Sequence, residues 1–222
     1  MSTKRNAAKS AAKTAPAKDE PSKRASKATA AKAAAKDDTV SLGPIVEAMR
    51  KRLPKARHAE AEAFISAFYK RMSSDELPQH DAQGWAALAI DFLDFARDRK
   101  PGKALVRLFN PTAKNEGWES GHTVVQIAND DMPFLVDSVT MSLAEQGIGV
   151  HVLGHPVVTF TRDKSGRILS VGEGQAESLM HLEIDRQPAE AMPKIQKALE
   201  AVLDDVRSSV RDWPQMKAKM IA

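Results

Sequence analysis

The six histidines are the residues of this chain whose possible chemistry depends most directly on spacing. His151 and His155 stand four residues apart on a predicted strand, so their side chains share one face but lie about 13 Å apart. A zinc ion with Zn–N bonds of about 2 Å cannot bind both, and no metal site is expected. We instead expect an interface or a solvated, open face of the predicted sheet to carry these residues: His122, His151, His155, His181, Gln126 and Glu183. An alternative role is titration near neutral pH that makes assembly pH-sensitive.

Two glycine pairs could suggest a dinucleotide site, Gly147/Gly149 and Gly172/Gly174. The phosphate-binding pattern G-x-G-x-x-G opens a helix, so that the backbone approaches the pyrophosphate. Neither pair has the third glycine, and the first pair follows a predicted helix instead of opening one. No cofactor is therefore expected to bind to this chain.

Three carboxylates, Asp130, Asp131 and Asp137, could pass for an acid–base cluster. We interpret Asp130 as a turn residue, Asp131 as the cap of a helix with Pro133 in its first turn, and Asp137 as a residue of the first turn. All three would oppose the positive end of the helix dipole, and catalysis is the alternative. No Ser/His/Asp set has a spacing that argues for a nucleophile. The chain has no cysteine, which excludes disulfides, thiol nucleophiles and cysteine metal sites. We therefore assign no catalytic residue.

The net charge of +4 hides a strongly basic N-terminus. The first 36 residues hold ten Lys or Arg against two acidic residues, so they carry +8 and the rest of the chain carries −4. Residues 1–40 are predicted to be a disordered Ala/Lys tail that solubilises the protein. The alternative is a tail that contacts nucleic acid or anionic lipid. Without cysteines, an apolar leader or an apolar run of ~18 residues, we expect a cytoplasmic protein without a membrane segment.

Residues 41–102 show apolar side chains at helical spacing in three segments, which predicts a small helical module. The first helix is expected after the punctuating residues 43–44, and the second reaches Met72. Asp81 is predicted to cap the third helix, whose last turn would hold the basic residues of 97–100.

From residue 103 the apolar period changes to two, which indicates strands. Strands are predicted over 104–109, 122–128, 150–161, 167–171 and 179–185. The first helix of this part is predicted to end at Gly147 in a left-handed cap. A loop is predicted over 173–177, and a long helix follows Pro188. We assign 103–213 to an α/β domain and 214–222 to a truncated C-terminal helix or linker.

This order of elements predicts an α+β fold of the ferredoxin-like class, an antiparallel sheet with two helices on one face and the other face open. The last edge strand of that fold is missing from the chain. Either the early strand over 104–109 takes its place, or the edge awaits sequence beyond this chain.

Two stretches resemble an ACT domain, a small ligand-sensing module of amino-acid enzymes: DMPFLV at 131–136 and LAEQGIGV at 143–150. ACT domains typically read Asp-x-Pro-Gly-Leu in the first stretch, and Phe134 stands here in place of that glycine. The resemblance implies that an effector or an interface meets this loop: Asn129, Asp130, Asp131, Met132, Pro133 and Phe134. Because Phe134 fills the space that admits a ligand backbone, a subunit-contact role is an equal alternative to effector binding.

Five further blocks are similar, in order and spacing, to the N-terminal region of the large bacterial NAD-specific glutamate dehydrogenases. They are NPT at 110–112, GWES at 117–120, NDDMPFLVDS at 129–138, HPV at 155–157 and ESLMHLEIDR at 177–186. The resemblance implies a non-catalytic regulatory and assembly segment of an enzyme that oxidises glutamate to 2-oxoglutarate and ammonia with NAD. The nicotinamide site and the catalytic residues of that family lie far downstream.

The partners that this resemblance implies are the rest of the same enzyme and further subunits of a homo-oligomer. The competing hypotheses are a nucleic-acid binder that acts through the basic tail and a free-standing ACT-like interaction protein. Truncation of residues 1–38 separates the first of these, since it would abolish any salt-sensitive DNA binding.

Overall fold

The computed structural model describes residues 41–70 and 80–221, with side chains up to Asp212. The predicted tail over 1–40 and the predicted helix end at Met72 lie outside the described residues. Along the described chain run five α-helices and six strands. They are α1 (Leu42–Arg52), α2 (His58–Tyr69), α3 (Ala82–Phe95), β1 (Leu105–Phe109), β2 (Thr123–Asp130), α4 (Leu135–Glu145), β3 (Val150–Gly154), β4 (Val157–Arg162), β5 (Ile168–Val171), β6 (Gln175–Ile184) and α5 (Met192–Ile221).

The six strands form one antiparallel sheet. Five of them lie in the order β1-β2-β6-β4-β5, and β3 pairs with β6 beside this path. The long strand β6 pairs with β2 on one side, and with β3 and β4 one after the other on the opposite side. Strand β1 pairs with the outer edge of β2, from Leu105 opposite Ala128 to Phe109 opposite Val124. The predicted α+β, ferredoxin-like sheet is thus confirmed, and the early strand takes the place of the missing edge strand.

Helices α4 and α5 cover one face of the sheet with an apolar core. Alternate residues of β2 and β6 point to this face, and their partners are the apolar stripes of the two helices. The fully buried members are Val125, Ile127, Met180, Leu182, Ile184, Val139, Leu143, Leu199 and Leu203.

Helices α1, α2 and α3 cover the opposite face, so the prediction of an open second face is wrong. Phe64 and Phe92 from the helices share one hydrophobic core with Val124, Phe160 and Leu179 from the sheet. The predicted helical stripes needed a surface on which to be buried, and the second face of the sheet supplies it. The described residues all belong to one compact unit. The division into a helical module (41–102) and an α/β domain (103–213) stays a prediction.

The strand predicted over 150–161 is in fact two strands, β3 and β4. Pro156 interrupts it because proline has no N–H to donate to a ladder, while its carbonyl accepts from the Leu179 N–H at 2.9 Å. The loop predicted over 173–177 is also partly wrong, since β6 begins at Gln175. Glu177 already lies opposite Val158 in the ladder.

Two predicted helix ends are confirmed and two are shifted. The Asp81 carboxylate accepts from the Gly84 N–H at 2.8 Å and caps α3. Gly147 follows α4 with φ 71°, and the next N–H, of Ile148, donates to the Leu143 carbonyl at 3.0 Å. Residues 43–44 lie inside the first turn of α1, where a proline N–H is not needed. Residues 97–100 lie beyond the end of α3.

None of the helices in the described ranges has the length and apolarity that crossing a bilayer requires.

Candidate functional site

The candidate site is the loop between β2 and α4, residues 129–134. Asn129 and Asp130 end β2, and Asn129 is fully buried. Asp131 is exposed, but its N–H donates to the Ala176 carbonyl at 3.3 Å, which ties the loop to β6. Met132 packs against the core under α4 and α5. The loop is therefore anchored on the sheet, and its free end is the Phe134 side.

Phe134 has a left-handed backbone, φ 70° and ψ 2°, directly before α4. It is the one non-glycine residue with positive φ in the described part of the chain. This conformation costs a residue with a side chain about 1–2 kcal/mol, which gives a conformational reason for glycine at this position in ACT domains. Phe134 is 67% exposed, so its ring does not point into the layer.

The start of α4 also differs from the prediction. The helix begins at Leu135, with Phe134 at its N-cap position and no side-chain cap. Asp131 is therefore not the cap, and Pro133 lies in the turn before the helix. Asp137 does lie in the first turn, where its charge opposes the helix dipole as predicted.

Asp130 is part of a charge network and not a helix cap. Its carboxylate accepts from Arg99 at 2.9 Å, from the Gly102 N–H at 2.9 Å and from Arg207 of α5. Arg207 also donates to the side-chain carbonyl of Asn129. Burial alone would raise the pKa of Asp130. The guanidinium groups of Arg99 and Arg207 lower it by more than burial raises it, so the pKa lies below its usual range. Of the three carboxylates suggested as an acid–base cluster, that of Asp130 is thus committed to structural contacts.

A second carboxylate of the network, Glu177, is almost completely buried. It accepts from Arg99 at 2.8 Å and from Arg162 at 2.6 Å. Arg162 continues to the carbonyls of Ala96 and Arg97, just after α3, at 2.9 and 3.0 Å. Burial raises the pKa of Glu177, and its contacts with the two arginines bring it below the ordinary value. The network joins α3, the sheet, the loop and α5.

Beside Phe134, a groove of 410 Å³ runs between α4 and α5. Met141 and Phe134 line it on the α4 side, and Val202 and Val206 line it on the α5 side. Phe134 and Met141 are two of the three large apolar side chains that are exposed in the described residues. An exposed apolar pair of this kind is typical of a contact surface.

The sheet face on which polar residues were predicted is covered by α1–α3 and is not open. His181, Gln126 and Glu183 are buried on the sheet face that α1–α3 cover, so that prediction is wrong for them. The rings of His122 and His151 stack at 4.3 Å between centroids. Their nitrogens lie 3.0 Å from Glu183 and 2.8 Å from Asp185. Among the described residues, no three His, Cys, Asp or Glu side chains are grouped to hold a metal ion.

The buried polar group around His181 leaves several atoms unpaired. Both His181 ring nitrogens, the Trp118 indole N–H and the Gln126 amide nitrogen have no hydrogen-bond partner among the described residues. His181 lies 3.9 Å from Glu183, beyond hydrogen-bonding distance. Burial raises the pKa of Glu183, but its interactions with His181, Ser120 and His122 outweigh this and bring it to about 2. The carboxylate is therefore charged inside the fold.

Sequence reasoning missed the three arginines of the network and Glu177. Arg99 was assigned to a helix end and Glu177 to a loop, although Arg99 is 1% exposed and Glu177 2%. One signal was present: His181 and Glu183 alternate with Met180, Leu182 and Ile184 as the two faces of a strand do, and Glu177 has the same parity as His181 and Glu183. Nothing in the spacing of Arg99, Arg162 and Arg207 shows that they meet.

The antiparallel sheet with α4 and α5 on one face, and the α4 that follows the loop and ends at Gly147, define the class of ACT-type α+β modules. A family model described as "Glutamate dehydrogenase, ACT1 domain" matches residues 64–199. The NAD-specific glutamate dehydrogenase of Halomonas elongata is 32% identical over 187 residues, which are 80% of this chain and 12% of that protein. That of Pseudomonas aeruginosa is 35% identical over 184 residues, 78% of this chain and 11% of that protein.

The chain therefore belongs to the NAD-specific glutamate dehydrogenase family, in its ACT1 region. It spans only about a tenth of the length of these relatives.

Proposed function

We propose that this region is a non-catalytic regulatory and assembly module of an NAD-dependent glutamate dehydrogenase. The whole enzyme would oxidise glutamate to 2-oxoglutarate and ammonia, with NAD bound by another part of the polypeptide. We place this enzyme in the cytoplasm as a homo-oligomer, with the rest of the enzyme as the module's principal partner. The family membership supports the enzyme class, and the geometry of Phe134 supports the contact role.

The observation that carries the contact role is the exposed, left-handed Phe134. The strained conformation of Phe134 costs about 1–2 kcal/mol, and its ring lies outside the core. This conformation therefore does not stabilise the isolated fold. Contact with another surface would bury the Phe134 ring, and this burial would offset the cost of the strained conformation.

The arrangement of the loop supports contact over amino-acid binding. Asn129 and Asp130 are already engaged by Arg207 and Arg99, so their oxygens are not free for an amino group. Phe134 stands where ACT domains carry the glycine that admits a ligand backbone. We therefore propose residues 129–134 as an interface loop, with effector binding as the outcome that would replace it.

Three assays of the purified 222-residue chain test this proposal. With glutamate and NAD, we expect NADH formation no faster than with heat-unfolded chain, and titration calorimetry with NAD should show no binding heat. Turnover or cofactor binding would contradict a non-catalytic role. Thermal melting should give the same midpoint temperature with and without millimolar amino acids. A rise of that temperature with an amino acid would restore the effector role.

A further inference from the structure

The groove between α4 and α5 has the features of a docking site that the isolated chain leaves empty. Its volume of 410 Å³ accommodates a few side chains and not a whole helix. Its apolar lining comes from Phe134 and Met141 on one side and from Val202 and Val206 on the other. A partner helix would therefore lie across the groove and insert side chains into it.

Two of the three exposed large apolar side chains of the described residues lie together at the groove. Phe134 and Met141 are 67% and 62% exposed and line the same groove. The third exposed large apolar residue, Leu169, is 64% exposed on β5, outside the groove. Phe134 also holds the strained backbone described above, and strain of this kind concentrates at functional surfaces. Exposure, clustering and strain thus coincide at one place.

The charge around the groove is acidic. Helix α4 contains Asp137 and Glu145 and no Lys or Arg. On α5, Asp204 and Asp205 are exposed, Arg207 is committed to Asn129 and Asp130, and Arg211 is paired with Asp212. Glu145 and Asp205 themselves line the groove. A partner with basic residues beside its apolar ones complements this surface.

We propose that the α4–α5 groove binds a basic amphipathic helix from the remaining part of the enzyme, whose apolar side chains insert between Phe134 and Met141. This inference rests on the proposed function, since the partner belongs to the same enzyme. A second copy of this face is a poor occupant, because it would set acidic side chains against acidic ones. Nucleic acid is repelled by the same charges.

Peptide binding to the 222-residue chain tests the groove directly. The probe is a synthetic helix of about 18 residues with leucines at positions i, i+3, i+4 and i+7 and lysines elsewhere. One control peptide has glutamates in place of the lysines, and another has the same residues in scrambled order. Fluorescence anisotropy should show saturable binding of the basic amphipathic helix alone, weakened by salt.

Three variants locate the binding surface. Met141→Glu and Phe134→Gly should each weaken the peptide by about tenfold or more, while Leu169→Ser should bind like the wild type. Phe134→Gly is informative because it removes backbone strain, so a loss of binding cannot be explained by loss of folding.

Four results would overturn the proposal. They are no saturable binding by the basic helix, equal binding by the acidic or scrambled peptide, unchanged binding by Phe134→Gly and Met141→Glu, and a dimer in light scattering that Met141→Glu removes. The last result would assign the groove to a second copy. None of these results affects the catalytic and cofactor assays, so the proposed function can stand if the groove proposal fails.

Discussion

The two faces of strand β6 are buried by different means. Met180, Leu182 and Ile184 meet α4 and α5 in a core made of apolar side chains. On the other face, Glu177 and Glu183 are buried with Leu179 under the helices that precede the sheet. One face is therefore stabilised mainly by removal of apolar surface from water, and the other also depends on buried charges that need partners.

This difference teaches which part of the fold the sequence pattern can define. A strand face of apolar residues predicts a covering helix. A strand face that carries Glu, His and Glu predicts solvent, unless arginines far away in the sequence reach it. Arg99 and Arg162 do so at Glu177, and Ser120 and His122 bind Glu183, so a face that appears open in the pattern is covered in the fold.

The largest expected effect lies on the apolar face. Leu143→Asp places an unpaired carboxylate in a fully buried position, which costs several kcal/mol against a total stability of roughly 5–15 kcal/mol. We expect loss of the cooperative thermal transition. Met141→Asp, two residues earlier on the exposed side of α4, is the matched control and should melt like the wild type. An unchanged melting curve for Leu143→Asp would mean that this stripe does not face the core.

The next effect lies on the charged face. Glu177→Gln removes the carboxylate shared by Arg99 and Arg162 and leaves two buried guanidinium groups short of a partner. Loss of one member of a buried ion pair costs about 3–5 kcal/mol, measurable by urea denaturation. Glu173→Gln, at an exposed position before β6, should be neutral. If both variants unfold at the same urea concentration, the buried network does not stabilise the second face.

A smaller effect of opposite sign is expected at Phe134. Phe134→Gly relieves the left-handed strain and should raise the free energy of unfolding by about 1 kcal/mol. Phe134→Ala keeps a Cβ in the same conformation and should gain nothing. Urea midpoints of the three proteins decide this. A Phe134→Gly variant less stable than wild type would show that the ring contributes to the fold.

The smallest effect is the pH dependence from two histidines. Burial lowers the pKa of His80 and of His155 below the ordinary value of 6.5, so the folded state binds fewer protons than the unfolded chain. Their contribution to stability is present above pH 6.5 and is lost as the pH falls toward their lowered pKa values. The contribution of Glu183 to stability is lost at lower pH, as the pH falls from 4.5 to about 2.

Urea midpoints at about pH 7.5 and about pH 5 should therefore differ, with the lower stability at the acidic pH. The double variant His80→Gln, His155→Gln should reduce the difference. A double variant with the wild-type pH dependence would assign the effect to other groups.

The elements that the sequence predicted well are those whose signal is local. Asp81 and Gly147 mark helix ends through their own side chain or backbone, and the stripe through Val139 and Leu143 faces the core. Strand β1 could be placed because the fold class requires an edge strand and one spare strand preceded it. The break at Pro156 was readable in principle, since proline cannot donate to a ladder.

The assignment of a site to residues 129–134 stays a prediction, and the conformation of this loop was not predicted. Resemblance identified residues 129–134, yet the left-handed Phe134 shows only in the backbone, and the Asp130 contacts depend on Arg99 and Arg207, 31 and 77 residues away. Such long-range pairs leave no periodic signal in one sequence. The groove likewise depends on how α4 and α5 pack together.

The central claim is that this region assembles the enzyme and does not catalyse. The mass of the assembled enzyme, measured with and without this region, tests it most directly. Light scattering would compare the intact Pseudomonas aeruginosa relative with a form that lacks the segment matching this chain. We predict that the shortened enzyme forms a smaller assembly while glutamate-dependent NADH formation remains detectable. An unchanged number of subunits, with NADH formation abolished, would contradict the account and place a catalytic contribution in this segment.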